Sequence, residues 1–213
     1  MTAPKTRVAV MVSGGGTNLQ AILDYAAAGK LPDGEIVCVL SDKPDAYALE
    51  RARNHGVEAV CVDRKACSGR EEFEQKMIEV LENRGVELIV MAGFLRILSA
   101  DFTDRFENRM INVHPSLIPS FCGKGFYGLK VHEAALEYGV KLTGATVHYV
   151  NSIPDGGQII EQRAVRIKKG DTPETLQRRV MEQAEWKILP EACENVCRTL
   201  FEAEKQRLSH FSN

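Results

Sequence analysis

Short apolar runs alternate with helix-length amphipathic segments through the first half of this chain. Residues 7–12, 35–40, 57–62, 87–92 and 109–114 read as strands, and 18–28, 47–55, 70–84 and 99–106 as helices, three of which stop at Gly29, Gly56 and Gly85. The run at 87–92 has no polar alternation beyond its first residue, as suits a strand covered on both faces. The 70–84 segment carries Phe73, Met77, Val80 and Leu81 on one side, the signature of a half-buried helix. Repeated βα units predict an α/β fold with a doubly wound, mostly parallel, Rossmann-like sheet.

The second half breaks the pattern. Residues 143–150 and 158–167 read as strands joined by the short stretch 151–157, so an antiparallel edge pair is expected. Between the two halves lies a Gly-rich loop, 116–131, with Phe121, Phe126 and Tyr127, then a helix at 132–138. Thr172-Pro173 is a helix start, cap then Pro at the first position. A long C-terminal helix is expected from there to about residue 206, bent near Pro190, with 207–213 frayed. The 213 residues show no repeat or linker, so one domain over 1–213 is predicted.

Composition narrows the function classes. The formal net charge of −2 argues against a broad nucleic-acid footprint. Residues 1–7 contain no apolar signal core and the run 8–12 is too short to span a membrane, so a cytoplasmic, non-membrane protein is expected. The cysteines at 38, 61, 67, 122, 193 and 197 form no paired Cys-x-x-Cys set and read as reduced thiols. His55, His132, His148 and His210 lack ligand spacing and read as satisfied or exposed, with no metal implied.

Two stretches carry chemistry. Ser13-Gly-Gly-Gly-Thr-Asn18 follows the first strand and opens the first helix. Glycines allow close backbone approach to an anion, and a helix start offers N–H groups and the positive dipole end. The spacing is neither the dinucleotide fingerprint nor a Walker loop, which favours a monophosphate or sugar phosphate. The second stretch is Asn112-Val-His-Pro115. In a strand, residues two apart share a face, so Asn112 and His114 project together, and Pro115 ends the strand at the imidazole. Asp155, in the turn Ile153-Pro-Asp-Gly-Gly157, supplies a carboxylate. An amide donor, an imidazole and a carboxylate that favours its charged form can stabilise an anion and move a proton.

Ser13-Gly-Gly-Gly-Thr-Asn-Leu-Gln20, Ala92-Gly-Phe-Leu-Arg-Ile-Leu98, Asn112-Val-His-Pro-Ser-Leu-Ile-Pro119 and Asp155-Gly-Gly157 together resemble the phosphoribosylglycinamide formyltransferases, folate-dependent enzymes of purine synthesis, over nearly the whole chain. The Asn-x-His-Pro-Ser and Asp-Gly-Gly elements are shared with the wider formyl-tetrahydrofolate group; the glycine loop is the narrower signal. The resemblance implies 10-formyltetrahydrofolate as co-substrate, small-molecule substrates only, a monomer or homodimer, and an active site between a phosphate-binding N-terminal half and a folate-binding C-terminal half. It implies catalytic roles for Asn112, His114 and Asp155. Gly16, Thr17 and Asn18 would hold the ribonucleotide phosphate, and Glu185, with Glu182 beside it, the ribose or glycinamide end. Arg70 would lie near the folate glutamate tail. Leu95, Arg96, Ile97 and Leu98 would line the pteridine cleft, with Asn112 beside them, and Asn151, Ser152, Ile153, Pro154 and Asp155 would close over the ring. Two other readings remain at this point: hydrolysis of the same donor, releasing formate, and a non-catalytic folate- or nucleotide-sensing domain.

Overall fold

The computed structural model describes residues 5–210, so the expectations for residues 1–4 and 211–213 lie outside the described residues. The described residues form two compact units, one from residues up to 95 together with those from 191 onward, the other from 96–190.

The first unit contains β1 (Thr6–Val12), α1 (Thr17–Ala27), β2 (Gly34–Ser41), α2 (Tyr47–Asn54), β3 (Glu58–Cys61), α3 (Arg70–Glu82) and β4 (Leu88–Met91). Its strands lie in the order β3-β2-β1-β4, every neighbouring pair parallel. The interior strand β1 is buried over Val8, Ala9, Val10, Met11 and Val12, which explains why its sequence shows no alternation. Each of these elements falls within two or three residues of its sequence-predicted position. The glycine loop sits between β1 and α1, at the carboxyl end of the strand, where ligands of open α/β sheets bind.

The second unit contains α4 (Ala100–Arg105), β5 (Met110–His114), α5 (Leu129–Tyr138), β6 (Leu142–Tyr149), β7 (Ile159–Arg166) and α6 (Pro173–Val180). Ser99 caps α4 by accepting from the Phe102 N–H at 3.2 Å. Thr172 and Thr175 form a reciprocal capping box at α6, with Pro173 at its first position, as the sequence predicts. A π-helical turn, Met181–Glu185, then leads into α7 (Trp186–His210), whose residues from 191 onward belong to the first unit. Among the described residues no helix is long and apolar enough to cross a membrane.

One expectation is extended and two need correction. First, β6 and β7 form the expected antiparallel edge pair, and β5 also pairs antiparallel with β6. His114, the last residue of β5, faces Thr146, and Ile111 faces Tyr149: the connection through α5 returns the chain to the end where β5 stopped, whereas a parallel return would carry it to the opposite end. Second, the C-terminal helix is interrupted at Met181–Glu185 and not at Pro190, which lies inside α7 and runs on to His210 with the helix. Proline early in a helix removes one ladder bond, and the wider turn before it takes up the change in register. Third, α5 begins at Leu129 because Gly128 adopts a positive φ of 56° and turns the chain into the helix three residues sooner than expected.

His132 on α5 is fully buried, and neither ring nitrogen has a hydrogen-bond partner, so it is neither satisfied nor exposed as expected from sequence. Burial, with a smaller contribution from the charge on His114, pushes its pKa down to about 4. Between pH 6.5 and about 4 the unfolded chain therefore binds a proton that the folded chain refuses, and stability falls on acidification, by on the order of 3 kcal/mol for this group. Urea unfolding of His132→Leu should show a shallower loss of stability between pH 7 and pH 4.5 than the parent protein; an unchanged slope would remove His132 from the acid limb.

Candidate active site

The antiparallel register of β5 and β6 sets Asn112 opposite His148 and His114 opposite Thr146. Asn112 and His114 share a face of β5, and His148 joins them from β6. The fourth member comes from the turn after β6. The side chain of Asn151 accepts from the Ile153 N–H at 3.0 Å, an Asx turn that reverses the chain. Asp155 then takes a left-handed φ of 56°, one of the few places where a short polar side chain tolerates it. Gly157 lets the turn close: a Cβ there would sit 1.7 Å from the Tyr149 carbonyl oxygen.

These turns aim the Asp155 carboxylate at two imidazoles. Its Oδ2 lies 3.5 Å from His114 Nδ1, and its Oδ1 lies 3.7 Å from His148 Nε2. His148 Nε2 is also 3.2 Å from Asn112 Nδ2. The His114 side chain is 5% exposed and that of Asp155 14%, so water screens this pair little. His148 is buried, and burial holds its pKa below the usual imidazole range despite the opposing influences of the Tyr149 carbonyl and Asp155.

The loop after β5 closes on the same groups. The Phe121 carbonyl oxygen accepts from His114 Nε2 at 2.9 Å, and the Gly123 N–H donates to Asp155 Oδ2 at 2.7 Å. Both nitrogens of His114 thus face oxygen acceptors, an arrangement that a ring carrying two protons satisfies completely. Phe121 reaches this position with a φ of 49°. Its ring packs edge-on against Phe126 and Tyr138, while Lys130 lies over the ring of Tyr127. These contacts account for the aromatic residues of the loop.

In the first unit, Gly16 caps α1 in the left-handed conformation with φ 71°, and no side chain caps that helix start. A Cβ on Gly16 would lie 2.6 Å from the Cβ of Ala48 on α2, so the loop accepts only glycine there. Arg51 of α2 donates from Nε to the Gly15 carbonyl at 2.8 Å, and the Ala48 N–H donates to the Gly14 carbonyl at 3.1 Å. The loop's carbonyls are therefore held by α2. Thr17 is exposed and Asn18 buried. Ser13, buried, accepts from the Leu95 N–H at 3.0 Å, and so ties the glycine loop to the segment after β4.

The remaining predicted residues divide by unit. Arg70 and Leu95 belong to the first unit, and Arg70 is bridged to Glu74 at 2.8 Å. Arg96, Ile97, Leu98, Asn151, Ser152, Ile153, Pro154, Glu182 and Glu185 belong to the second. Leu95, Ile97 and Ile153 are large apolar side chains left 61%, 62% and 63% exposed. Glu185 is buried and Glu182 exposed, because the π-helical turn that contains both rotates residues three apart onto different faces.

Sequence reasoning missed three contributors. His148 carries no motif, and only its cross-strand register with Asn112 marks it. Phe121 and Gly123 act through backbone groups, which any residue type supplies.

Residues 6–193 match the family model described as formyl transferase. The chain is 40% identical over 184 residues to a phosphoribosylglycinamide formyltransferase of Haemophilus influenzae, covering 86% of this chain and 84% of that protein. It is 44% identical over 194 residues to the trifunctional purine biosynthetic protein adenosine-3 of Gallus gallus, covering 90% of this chain but spanning only 18% of that relative's length. The crystal structure of glycinamide ribonucleotide transformylase 1 from Symbiobacterium toebii superposes with a TM-score of 0.83 at 44% identity, covering 89% of this chain and 86% of that one. That likeness carries the fold expected from sequence: a mostly parallel α/β sheet with an antiparallel edge and a long C-terminal helix. The match over residues 6–193, with 40% identity to a relative covered over 84% of its length, shows that the chain belongs to the formyl transferase family.

Proposed function

We propose that this chain transfers the formyl group of 10-formyltetrahydrofolate to the amine of glycinamide ribonucleotide, a step of purine synthesis. The approach of Asp155 to His114, with Asn112 on the same strand face, carries this reading. The names of the relatives and the glycine loop support the ribonucleotide as acceptor. The chain would act as one formyltransferase domain, with the phosphate held by its N-terminal half and the folate by its C-terminal half.

In this scheme the amine nitrogen attacks the formyl carbon, and a C–N bond forms as the carbonyl electron pair moves onto oxygen. The Asn112 N–H and a protonated His114 stabilise that oxyanion. The intermediate collapses with cleavage of the bond to the folate nitrogen. A water ordered by Asp155 takes the proton lost by the amine and returns one to the departing nitrogen. Transfer requires the Phe121 carbonyl to yield His114 Nε2 to the substrate. Gly16, Thr17 and Asn18 bind the phosphate, and Glu182 and Glu185 the ribose or glycinamide end. Arg70 meets the folate tail, while Leu95, Arg96, Ile97 and Leu98, with Asn151, Ser152, Ile153 and Pro154, contact the pteridine. The scheme needs no metal. Six free thiols support a reducing, cytoplasmic setting, and the substrates are small molecules acted on by a monomer or homodimer.

The direct test is formyl transfer from 10-formyltetrahydrofolate to glycinamide ribonucleotide, followed spectroscopically. Formate release that needs no ribonucleotide would replace this reading with hydrolysis. Asn112→Ala and Asp155→Asn should each lower kcat by about 10²–10³-fold with little change in ribonucleotide KM. Loss confined to KM would contradict their roles. Thr17→Ala and Asn18→Ala should do the reverse, raising ribonucleotide KM several-fold while kcat holds; a fall in kcat alone would detach the glycine loop from the phosphate.

A further inference from the structure

An asparagine amide has two ends of nearly equal shape, and only one can help an oxyanion. Turned one way, Asn112 presents N–H to the developing charge; turned the other, it presents a repelling oxygen. His148 faces this amide across the β5–β6 register and is itself buried. His148 Nδ1 lies 2.8 Å from the Tyr149 carbonyl oxygen, which can only accept, so the proton of the neutral ring resides on Nδ1. Nε2 is then a lone pair 3.2 Å from Asn112 Nδ2, and it can only accept. The amide must direct an N–H at the ring, and the second N–H of the same nitrogen remains for a substrate oxygen.

We propose that His148 is a positioning residue for formyl transfer, a neutral imidazole whose Nδ1 is fixed by the Tyr149 carbonyl and whose Nε2 holds the Asn112 amide with its donor end toward the formyl oxygen. The inference rests on the reaction proposed above. The alternative tautomer, with a proton on Nε2, would draw the Asn112 oxygen toward the ring and reverse the amide. A second proton on the ring would do the same and would turn Nε2–H toward Asp155 Oδ1, 3.7 Å away. The groups around His148 reinforce the neutral form: burial and the charge on His114 disfavour a second proton, against the opposing pull of the Tyr149 carbonyl and Asp155.

The test is a double-mutant cycle on the full chain, with kcat and both KM values measured. His148→Leu fills the ring's space without an acceptor, and His148→Gln restores one. Loss of a single oriented donor predicts a kcat about 10–100-fold lower in His148→Leu, ribonucleotide KM within about twofold, and substantial recovery in His148→Gln. Because the effect passes through Asn112, adding His148→Leu to Asn112→Ala should cost little more than Asn112→Ala alone. Multiplying losses, or a His148→Gln as impaired as His148→Leu, would overturn the proposal. Nitrogen-15 NMR of the wild-type ring supplies an independent reading that needs neither a folded variant nor turnover. A proton on Nδ1 and a bare Nε2 at neutral pH are expected, and a protonated Nε2 would overturn the proposal outright. If the wild-type chain transfers no formyl group, the reaction assignment fails while the tautomer measurement still decides the geometry.

Discussion

The Asp155 carboxylate is the group around which the candidate site of the second unit is gathered. It is reached by a turn that no regular element supports: an Asx turn at Asn151, a left-handed aspartate, and a glycine pressed against the Tyr149 carbonyl. Backbone strain of this kind persists only where surrounding contacts hold it. Here the Gly123 N–H donates to Oδ2, and two imidazoles lie within 4 Å of the carboxylate oxygens. Moving Asp155 would disturb the post-β5 loop, His114 and His148 together.

The two proposed tasks fall to different kinds of structure. Phosphate recognition is assigned to a glycine loop between β1 and α1, where main-chain groups and a helix start do the work and α2 holds the outward carbonyls through Ala48 and Arg51. Proton handling is assigned to side chains at the ends of antiparallel strands, where register sets which residues meet. The glycine loop tolerates no side chain at Gly16, where a Cβ would lie 2.6 Å from that of Ala48. The strand site tolerates almost no slip, since a shift of one residue would turn Asn112 and His114 to the other face.

That difference decides how much was legible in the sequence. The parallel strands of the first unit, their helices and the glycine loop are local patterns and fall where periodicity and stop signals put them. Asn112 and His114 are likewise paired by a local rule. The turn residue Asp155 entered through its chemistry and through family resemblance, and its 3.5 Å approach to His114 depends on contacts distant in sequence. His148 was invisible because the pairing of β5 with β6 spans a long connection that no local signal registers. The interruption at Met181–Glu185 was hidden behind Pro190, the stronger breaker on paper, because an inserted residue in a helix changes hydrogen bonding without changing composition.

One carboxylate and two imidazoles raise the question of which ring shares its charge. Distance does not answer it: 3.5 Å to His114 and 3.7 Å to His148 give nearly equal attraction. A single buried negative charge cannot compensate two positive rings that also repel one another. The hydrogen-bond partners make the choice. His148 has Nδ1 committed to a carbonyl and Nε2 facing an amide donor, so a second proton has no acceptor except by displacing Asn112. His114 has an oxygen at each nitrogen, and a second proton there breaks nothing. The proposed oriented amide therefore needs His148 to keep its Nε2 lone pair, whereas the contacts of His114 place no such demand on either of its nitrogens.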